Sequence, residues 1–327
     1  MKPFEHINAL DLSAALELLR DPHTEAIAGG TDLLGELKRR IRAPRRIVNL
    51  KTISRLKEID YNGHLRIGPL ATLGEIERHP DVLSYFSLLR DALSVTSTPQ
   101  LRNMGTVGGN LCQRPRCWYY RDPLFHCWLK NGERCFAKEG ENRYHAILGG
   151  RHCYAVHPSD LAPALIALNA RVRIARTGGE EEIPLEKIYT LPGPDHRRMT
   201  ILRRGELITE ISVPVPSGNS RGVFLKAMER KGWAFALVSV AAQIEVDGDL
   251  IVSSNLILGG VAPIPWRADG AERVLTGQKL SGEIVGEAAE AAVAQALPLK
   301  QNEYKINLTK GLVRQALGSL LRNFKLR

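Results

Sequence analysis

The chain has 327 residues, 44% of them apolar, and a formal charge of +10; this length supports a full core divided among two or three domains. No apolar run is long enough to cross a bilayer and Met1 to Glu5 lacks the apolar core of a secretion signal, so a cytoplasmic protein is expected and a membrane protein is not. The densest basic run, Lys38 to Arg46, lacks an interleaved aromatic for base stacking and falls where a helix should give way to a strand, so a solvated helix end is preferred over nucleic acid, with a docking face for an acidic partner subunit between them.

Asp11 is placed to cap a helix whose apolar positions Leu12, Ala15, Leu16 and Leu19 recur at helical spacing. Ala26 to Ala28 reads as a short buried strand, and Gly29-Gly30-Thr31-Asp32 turns the chain into a second helix. Strand Leu65-Arg66-Ile67 leads to Thr72-Leu73-Gly74-Glu75, a capping-box spacing, and Pro158-Ser159-Asp160 opens an apolar helix through Leu165 and Leu168. The prolines and small polar residues from Pro214 to Ser220 form the clearest linker. Beyond it the pattern predicts strands at Ala236 to Val246 and Leu250 to Leu258, an alanine-rich helix over Gly282 to Ala296, and a last helix over Leu308 to Leu321.

Two glycine runs carry the first chemical signal. Ala28-Gly29-Gly30-Thr31-Asp32 joins a strand to a helix, leaving backbone N–H groups open to an anion. Gly105-Thr106-Val107-Gly108-Gly109-Asn110 offers a second turn, and two unlike turns in one α/β unit can grip the two ends of a pyrophosphate. Neither run matches G-x-G-x-x-G or a P-loop, which disfavours a Rossmann domain and a nucleotide hydrolase. No nucleophile–base or paired-carboxylate constellation stands at a diagnostic spacing, so no catalytic residue is assigned.

Cysteines carry the second signal. Cys117, Cys127, Cys135 and Cys153 leave nine, seven and seventeen residues between successive members, with no C-x-x-C pair. Four thiolates complete a cubane iron–sulfur cluster and tolerate irregular spacing, and Trp118, Tyr119, Tyr120, Phe125, Trp128 and Phe136 supply shielding. Zinc and unligated buried thiols are the other two readings. Cys112 is a fifth candidate, with one thiol spare. His145, His152 and His157 read as packing or polar residues.

Taken together, Ala28 to Leu34, Arg102 to Asn110, Pro158-Ser159-Asp160 and Gly259 to Pro263 resemble the FAD-binding medium subunit of molybdenum hydroxylases, the xanthine dehydrogenase family. The stretch from Cys112 to Cys153 further resembles the insertion in the β subunit of 4-hydroxybenzoyl-CoA reductase and in the flavin subunit of bacterial periplasmic aldehyde oxidoreductases. That insertion holds a [4Fe–4S] cluster.

The resemblance implies an α+β fold: a two-subdomain FAD-binding domain of the vanillyl-alcohol-oxidase/PCMH type over 1–215, then a CO-dehydrogenase-flavoprotein-like α/β domain over 216–327. The subdomains would cover about 1–55 and 56–215, with the iron–sulfur insertion at about 112–153. It implies that Ala28, Gly29, Gly30, Thr31, Asp32 and Leu33, with Thr106, Val107, Gly108, Gly109 and Asn110, wrap the FAD pyrophosphate. Asp160 would meet the nucleotide portion, Ile208 and Lys226 would lie near the flavin, and Thr96 is a further contact. The sequence around Lys226 departs from the acidic residue often found in the corresponding run of the family. Cys117, Cys127, Cys135 and Cys153 match the cluster ligands and Cys112 falls outside the pattern.

The implied activity is electron transfer: substrate reacts at a molybdenum cofactor in a large subunit, and electrons cross [2Fe–2S] clusters of a small subunit to reach this FAD. The extra cluster would connect FAD to an external one-electron carrier such as ferredoxin. A free-standing FAD oxidase and a zinc-stabilised interaction module are the alternatives, and periplasmic placement by co-export with a signal-bearing partner is the alternative to the cytoplasm.

Overall fold

The structure is a computed structural model that describes residues 1–325. The first unit alternates β1 (Glu5–Asn8), α1 (Leu12–Leu18), β2 (Thr24–Ile27), α2 (Leu33–Lys38) and β3 (Arg46–Asn49). The strands form a parallel sheet in the order β1-β3-β2, with the helices as crossovers. Asp11 caps α1 by accepting from the Ala14 N–H at 2.8 Å, and Ala9, Ala15, Leu19, Val48 and Leu50 close the core beneath the helix. The basic run is not wholly solvated. Arg42 pairs with Glu25 and Glu36, and Arg46 pairs with Glu5, so parts of it tie the connection after α2 to the sheet.

The second unit begins with β4 (Ile59–Tyr61) and β5 (His64–Ile67), followed by the helices α3 (Leu73–Arg78), α4 (Pro80–Tyr85), α5 (Ser87–Ser94), α6 (Pro99–Arg102), α7 (Val107–Leu111), α8 (Trp118–Arg121) and α9 (Leu161–Ala167). It ends with β6 (Arg171–Arg176), β7 (Gly179–Pro184) and β8 (Leu207–Pro214). These strands make an antiparallel sheet in the order β4-β5-β8-β6-β7. Leu65, Ile67, Phe86, Leu89, Leu165, Val172 and Ile211 fill the core between the sheet, α5 and α9. The stretch from Cys112 to Cys153 has little regular structure beyond α8 and short 3-10 turns. Ring contacts hold it instead, with Tyr119 packed edge-on against Phe125 and Phe125 against Phe136.

The third unit contains β9 (Ser220–Ala227), β10 (Val238–Asp247), β11 (Leu250–Gly259), β12 (Trp266–Arg267), α10 (Asp269–Leu275), α11 (Gly282–Ala291) and α12 (Tyr304–Lys325). Its antiparallel sheet runs β12-β11-β10-β9, and Val240, Ala242, Leu256 and Leu258 pack against Val313, Leu317 and Leu320 of α12. The alanine-rich helix stops at Ala291 rather than Ala296; the Leu297 N–H instead reaches the Ile147 carbonyl at 2.7 Å, drawing the chain back to the cysteine-bearing stretch. The last helix starts at Tyr304, four residues before the sequence pattern predicts, because its first turns are buried by polar contacts rather than apolar ones. Lys305 Nζ donates to the Tyr144 and Gly260 carbonyls at 3.0 and 2.7 Å.

Helix α3 positions the second glycine run. Thr72 and Glu75 form the capping box, with the Thr72 N–H donating to Glu75 Oε2 at 2.7 Å and the Glu75 N–H to Thr72 Oγ1 at 3.2 Å. Thr72 also bridges to Thr106, and the Leu73 N–H donates to the Gly105 carbonyl. Thr72→Ala should therefore lower the unfolding free energy by about 1 kcal/mol, measurable by denaturant titration; an unchanged midpoint would contradict a working cap.

Candidate functional site

The two glycine runs meet face to face. Gly29 lies so close to the second run that a Cβ there would stand 1.9 Å from the Met104 carbonyl oxygen, and one at Gly108 would stand 2.7 Å from Pro69 Cβ. Both glycines are dictated by the approach of protein to protein. Gly30 has a left-handed φ of +71°, the turn between β2 and α2. Gly109 differs: an added Cβ would meet only Thr106 Oγ1, at 3.0 Å, because its other side faces open space. Thr106 caps the turn by accepting the Gly109 N–H at 3.3 Å.

That open space is a slot made of two cavities, of about 330 and 530 Å³. Thr31, Asp32, Thr106 and Gly109 line both, so the glycine runs form the waist. The first cavity is walled by Ala28 to Leu33, Gly108, Leu50, Leu56 and Ile208. The second is walled by Thr96, Asn110, Arg116, Asp160 and the Arg230–Phe235 segment. Ile208 lines the first cavity, whereas Lys226 stands behind the wall of the second, its Nζ donating to Asp160 Oδ2 at 2.8 Å and to the Val95 carbonyl at 3.1 Å. Val107 is packed into the core and lines neither cavity. Asn110 Oδ1 accepts the Ser159 hydroxyl at 2.5 Å, fixing the Pro158–Asp160 turn against the slot.

Electrostatics divide the waist. Asp32 accepts from the Arg114 N–H at 2.8 Å, from Arg116 at 2.5 Å and from Arg121 at 2.7 Å. Desolvation works to raise its pKa, but the Arg116 and Arg121 guanidinium groups and the Arg114 N–H outweigh it and hold the carboxyl below its ordinary value. Its carboxylate is therefore committed to the cysteine-bearing stretch and is not free toward a ligand. Burial raises the Asp160 pKa against the opposing pull of Lys226. At the mouth of the second cavity, Arg116 lies 5.1 Å over the Phe235 ring, and Trp233 holds a left-handed φ of +52°. Arg116 and Phe235 escape sequence reading because neither forms a local pattern.

Cys117, Cys127, Cys135 and Cys153 line one small cavity with Tyr119, Trp128 and Phe136. Cys112 is elsewhere, on the wall of the first cavity, where burial pushes its thiol up to about 11. Burial likewise pushes Cys117 up to about 12. Cys135 is held down, to about 6, by a hydrogen bond from Cys153, whose own pKa that bond drives up. Among the described residues no three His, Cys, Asp or Glu side chains are spaced as ligands of a single ion. A four-iron cluster does not ask for that spacing, because each of its irons takes one thiolate. His145 Nε2 lies 3.2 Å from Cys117 Sγ, a contact with no local signature in the sequence.

Comparison with known proteins supplies a family. Residues 2–216 match the FAD binding domain in molybdopterin dehydrogenase, and residues 223–320 match the CO dehydrogenase flavoprotein C-terminal domain. The chain is 36% identical over 311 residues to the aldehyde oxidoreductase FAD-binding subunit PaoB of Escherichia coli, with 94% of each chain covered. It is 29% identical over 301 residues to the glyceraldehyde dehydrogenase medium chain of Sulfolobus acidocaldarius, covering 90% of this chain and 89% of the relative. Quinoline 2-oxidoreductase from Pseudomonas putida 86 shares the fold with a TM-score of 0.76 at 24% identity, with 99% of each chain covered.

The buried Lys226–Asp160 pair sets a test of the second cavity's wall. Lys226→Met should cost about 3–5 kcal/mol of stability by leaving a buried carboxylate without its cation, and adding Asp160→Asn should recover part of the loss. A double-mutant cycle by chemical denaturation checks this; additive costs would contradict a direct buried contact.

Proposed function

Because the chain belongs to the FAD-binding medium-subunit family of the molybdopterin hydroxylases, we propose that it relays electrons in a heteromeric molybdenum-containing oxidoreductase through two groups of its own, FAD in the bent slot and a [4Fe–4S] cluster on Cys117, Cys127, Cys135 and Cys153. The flavoprotein role is the family's. The slot is the observation that carries the reading: a ligand with a narrow centre and a bulky group at each end matches two cavities joined at a waist formed by the two glycine turns.

FAD, when bound, joins one-electron carriers to a two-electron donor or acceptor. The chain's own residues then have separable tasks. Gly109 and Thr106 line the waist, while Gly29 lets the first turn approach the second closely enough to form it, and Gly108 lets the second turn pack on Pro69. Thr96, Asp160 and the Arg116–Phe235 pair shape one end of the slot, and Ile208 shapes the other. Around the four thiols, Tyr119, Trp128 and Phe136 exclude water, and a set of four soft donors fits an iron–sulfur group.

On this reading, substrate chemistry belongs to a partner with the molybdenum cofactor. A small subunit with [2Fe–2S] clusters would feed or drain the FAD, and the cysteine-bearing stretch would pass electrons to a carrier such as ferredoxin.

Gly109→Val should lower flavin occupancy while leaving the fold intact, since its side chain projects toward the space shared by both cavities. Absorbance in the flavin bands together with far-ultraviolet dichroism reads both; full occupancy would contradict the slot as the FAD site. Serine at any of Cys117, Cys127, Cys135 or Cys153 should diminish or alter the reduced-state paramagnetic resonance signal, whereas Cys112→Ser should preserve it. Loss of the signal in Cys112→Ser with retention in Cys153→Ser would overturn the ligand choice.

A further inference from the structure

His145 is buried, at 3% exposure, and its Nε2 stands 3.2 Å from Cys117 Sγ. The ring is held in place by contacts on several sides. Trp118 packs edge-on to it at a centroid distance of 5.6 Å, and Tyr119 lies at 6.1 Å. Its backbone is fixed as well: the His145 N–H donates to the Asn142 carbonyl at 2.9 Å, and its carbonyl accepts from Asn302 Nδ2 at 3.1 Å. Lys305 braces the preceding residue through the Tyr144 carbonyl.

The tautomer of the ring sets the direction of the contact. Nδ1 is buried without a hydrogen-bond partner. A neutral imidazole carries one N–H; Nδ1 is unpaired in either tautomer, so the group that faces Nε2 decides which nitrogen holds the proton. Placing it on Nε2 aims it at sulfur, and a thiolate there would repel the alternative lone pair. Among the described residues no other side chain besides a cysteine is hydrogen-bonded to a thiol of the quartet. Cys117 also follows directly on Arg116, which lines the slot.

We propose that His145 donates its Nε2–H to the Cys117 thiolate and thereby raises the reduction potential of the [4Fe–4S] cluster, making His145 a tuning residue of the relay. The inference rests on the cluster reading given above. A hydrogen bond to a ligating sulfur withdraws electron density, and the reduced cluster, which carries more of it, gains more from the bond than the oxidised one.

The test is a paramagnetic-resonance-monitored redox titration of the anaerobically purified, cluster-loaded full chain, comparing wild type with His145→Phe and His145→Gln. Phenylalanine keeps the aromatic packing and removes the donor, so its cluster midpoint should move to lower potential. Glutamine retains an N–H and should recover part of the shift, while the flavin midpoint stays where it is in both. An unchanged cluster midpoint in His145→Phe with iron intact would overturn this inference alone. A wild-type chain that binds no iron would overturn the cluster reading, and this inference with it. Should the variants lose the cluster, pulsed resonance of wild type carrying ¹⁵N-histidine reads the same contact: a weak ¹⁵N coupling supports the hydrogen bond and its absence overturns it.

Discussion

One carboxylate joins the two halves of the site. Asp32 closes the first glycine run, and its oxygens take an N–H from Arg114 and guanidinium contacts from Arg116 and Arg121. Those arginines flank Cys117, in a stretch with too little regular structure to hold its own position. Charge-assisted hydrogen bonds of this kind are strong because both partners are largely removed from water and the geometry is satisfied. The same three residues therefore fix the distance between the slot and the thiols. Glu36, buried one turn along α2, adds a second negative charge, with Arg121 3.8 Å away.

A second set of contacts closes the stretch from its far end. Asn142 and Gln301 exchange backbone–side-chain hydrogen bonds at 2.9 Å, Asn302 and Lys305 take up the carbonyls from Tyr144 to Ala146, and Leu297 binds the Ile147 carbonyl. Burying the Lys305 ammonium among carbonyls costs desolvation, which holds its pKa down to about 7. The third sheet does comparable work beside the slot, where Lys226 of β9 compensates Asp160 and the loop after β9 brings Phe235 over Arg116. The slot is consequently built where three units meet, and each supplies a wall.

What could be read in the sequence was what local geometry decides. The Asp11 cap, the Thr72–Glu75 capping box and the glycine turns each depend on residues within three or four positions, and the structure forms all of them. The cysteine quartet was legible as a set of soft donors, and the four residues do share one cavity. Contacts spanning 82 to 89 residues were not legible, so the pattern around Asp32 gave no sign that its carboxylate is taken up by arginines. Equally hidden was the pairing of Lys226 with Asp160 across 66 residues, which sets the lysine behind the wall of the second cavity while Ile208 lines the first. The early start of α12 was hidden because its buried face begins with Lys305 and Thr309, polar residues that an apolar periodicity passes over. The ring of His145 reaches Cys117 across 28 residues, a distance no spacing rule bridges.

On the proposed reading, one chain holds a flavin and a four-iron cluster side by side. The most direct measurement is the cofactor content of anaerobically purified protein: FAD released by denaturation, together with iron and acid-labile sulfide, set against the visible spectrum. One FAD per chain is expected, with iron and sulfide in the proportions of a single cubane and flavin bands superposed on a broad iron–sulfur absorbance. FAD without iron or sulfide, or zinc in place of iron, would contradict that reading.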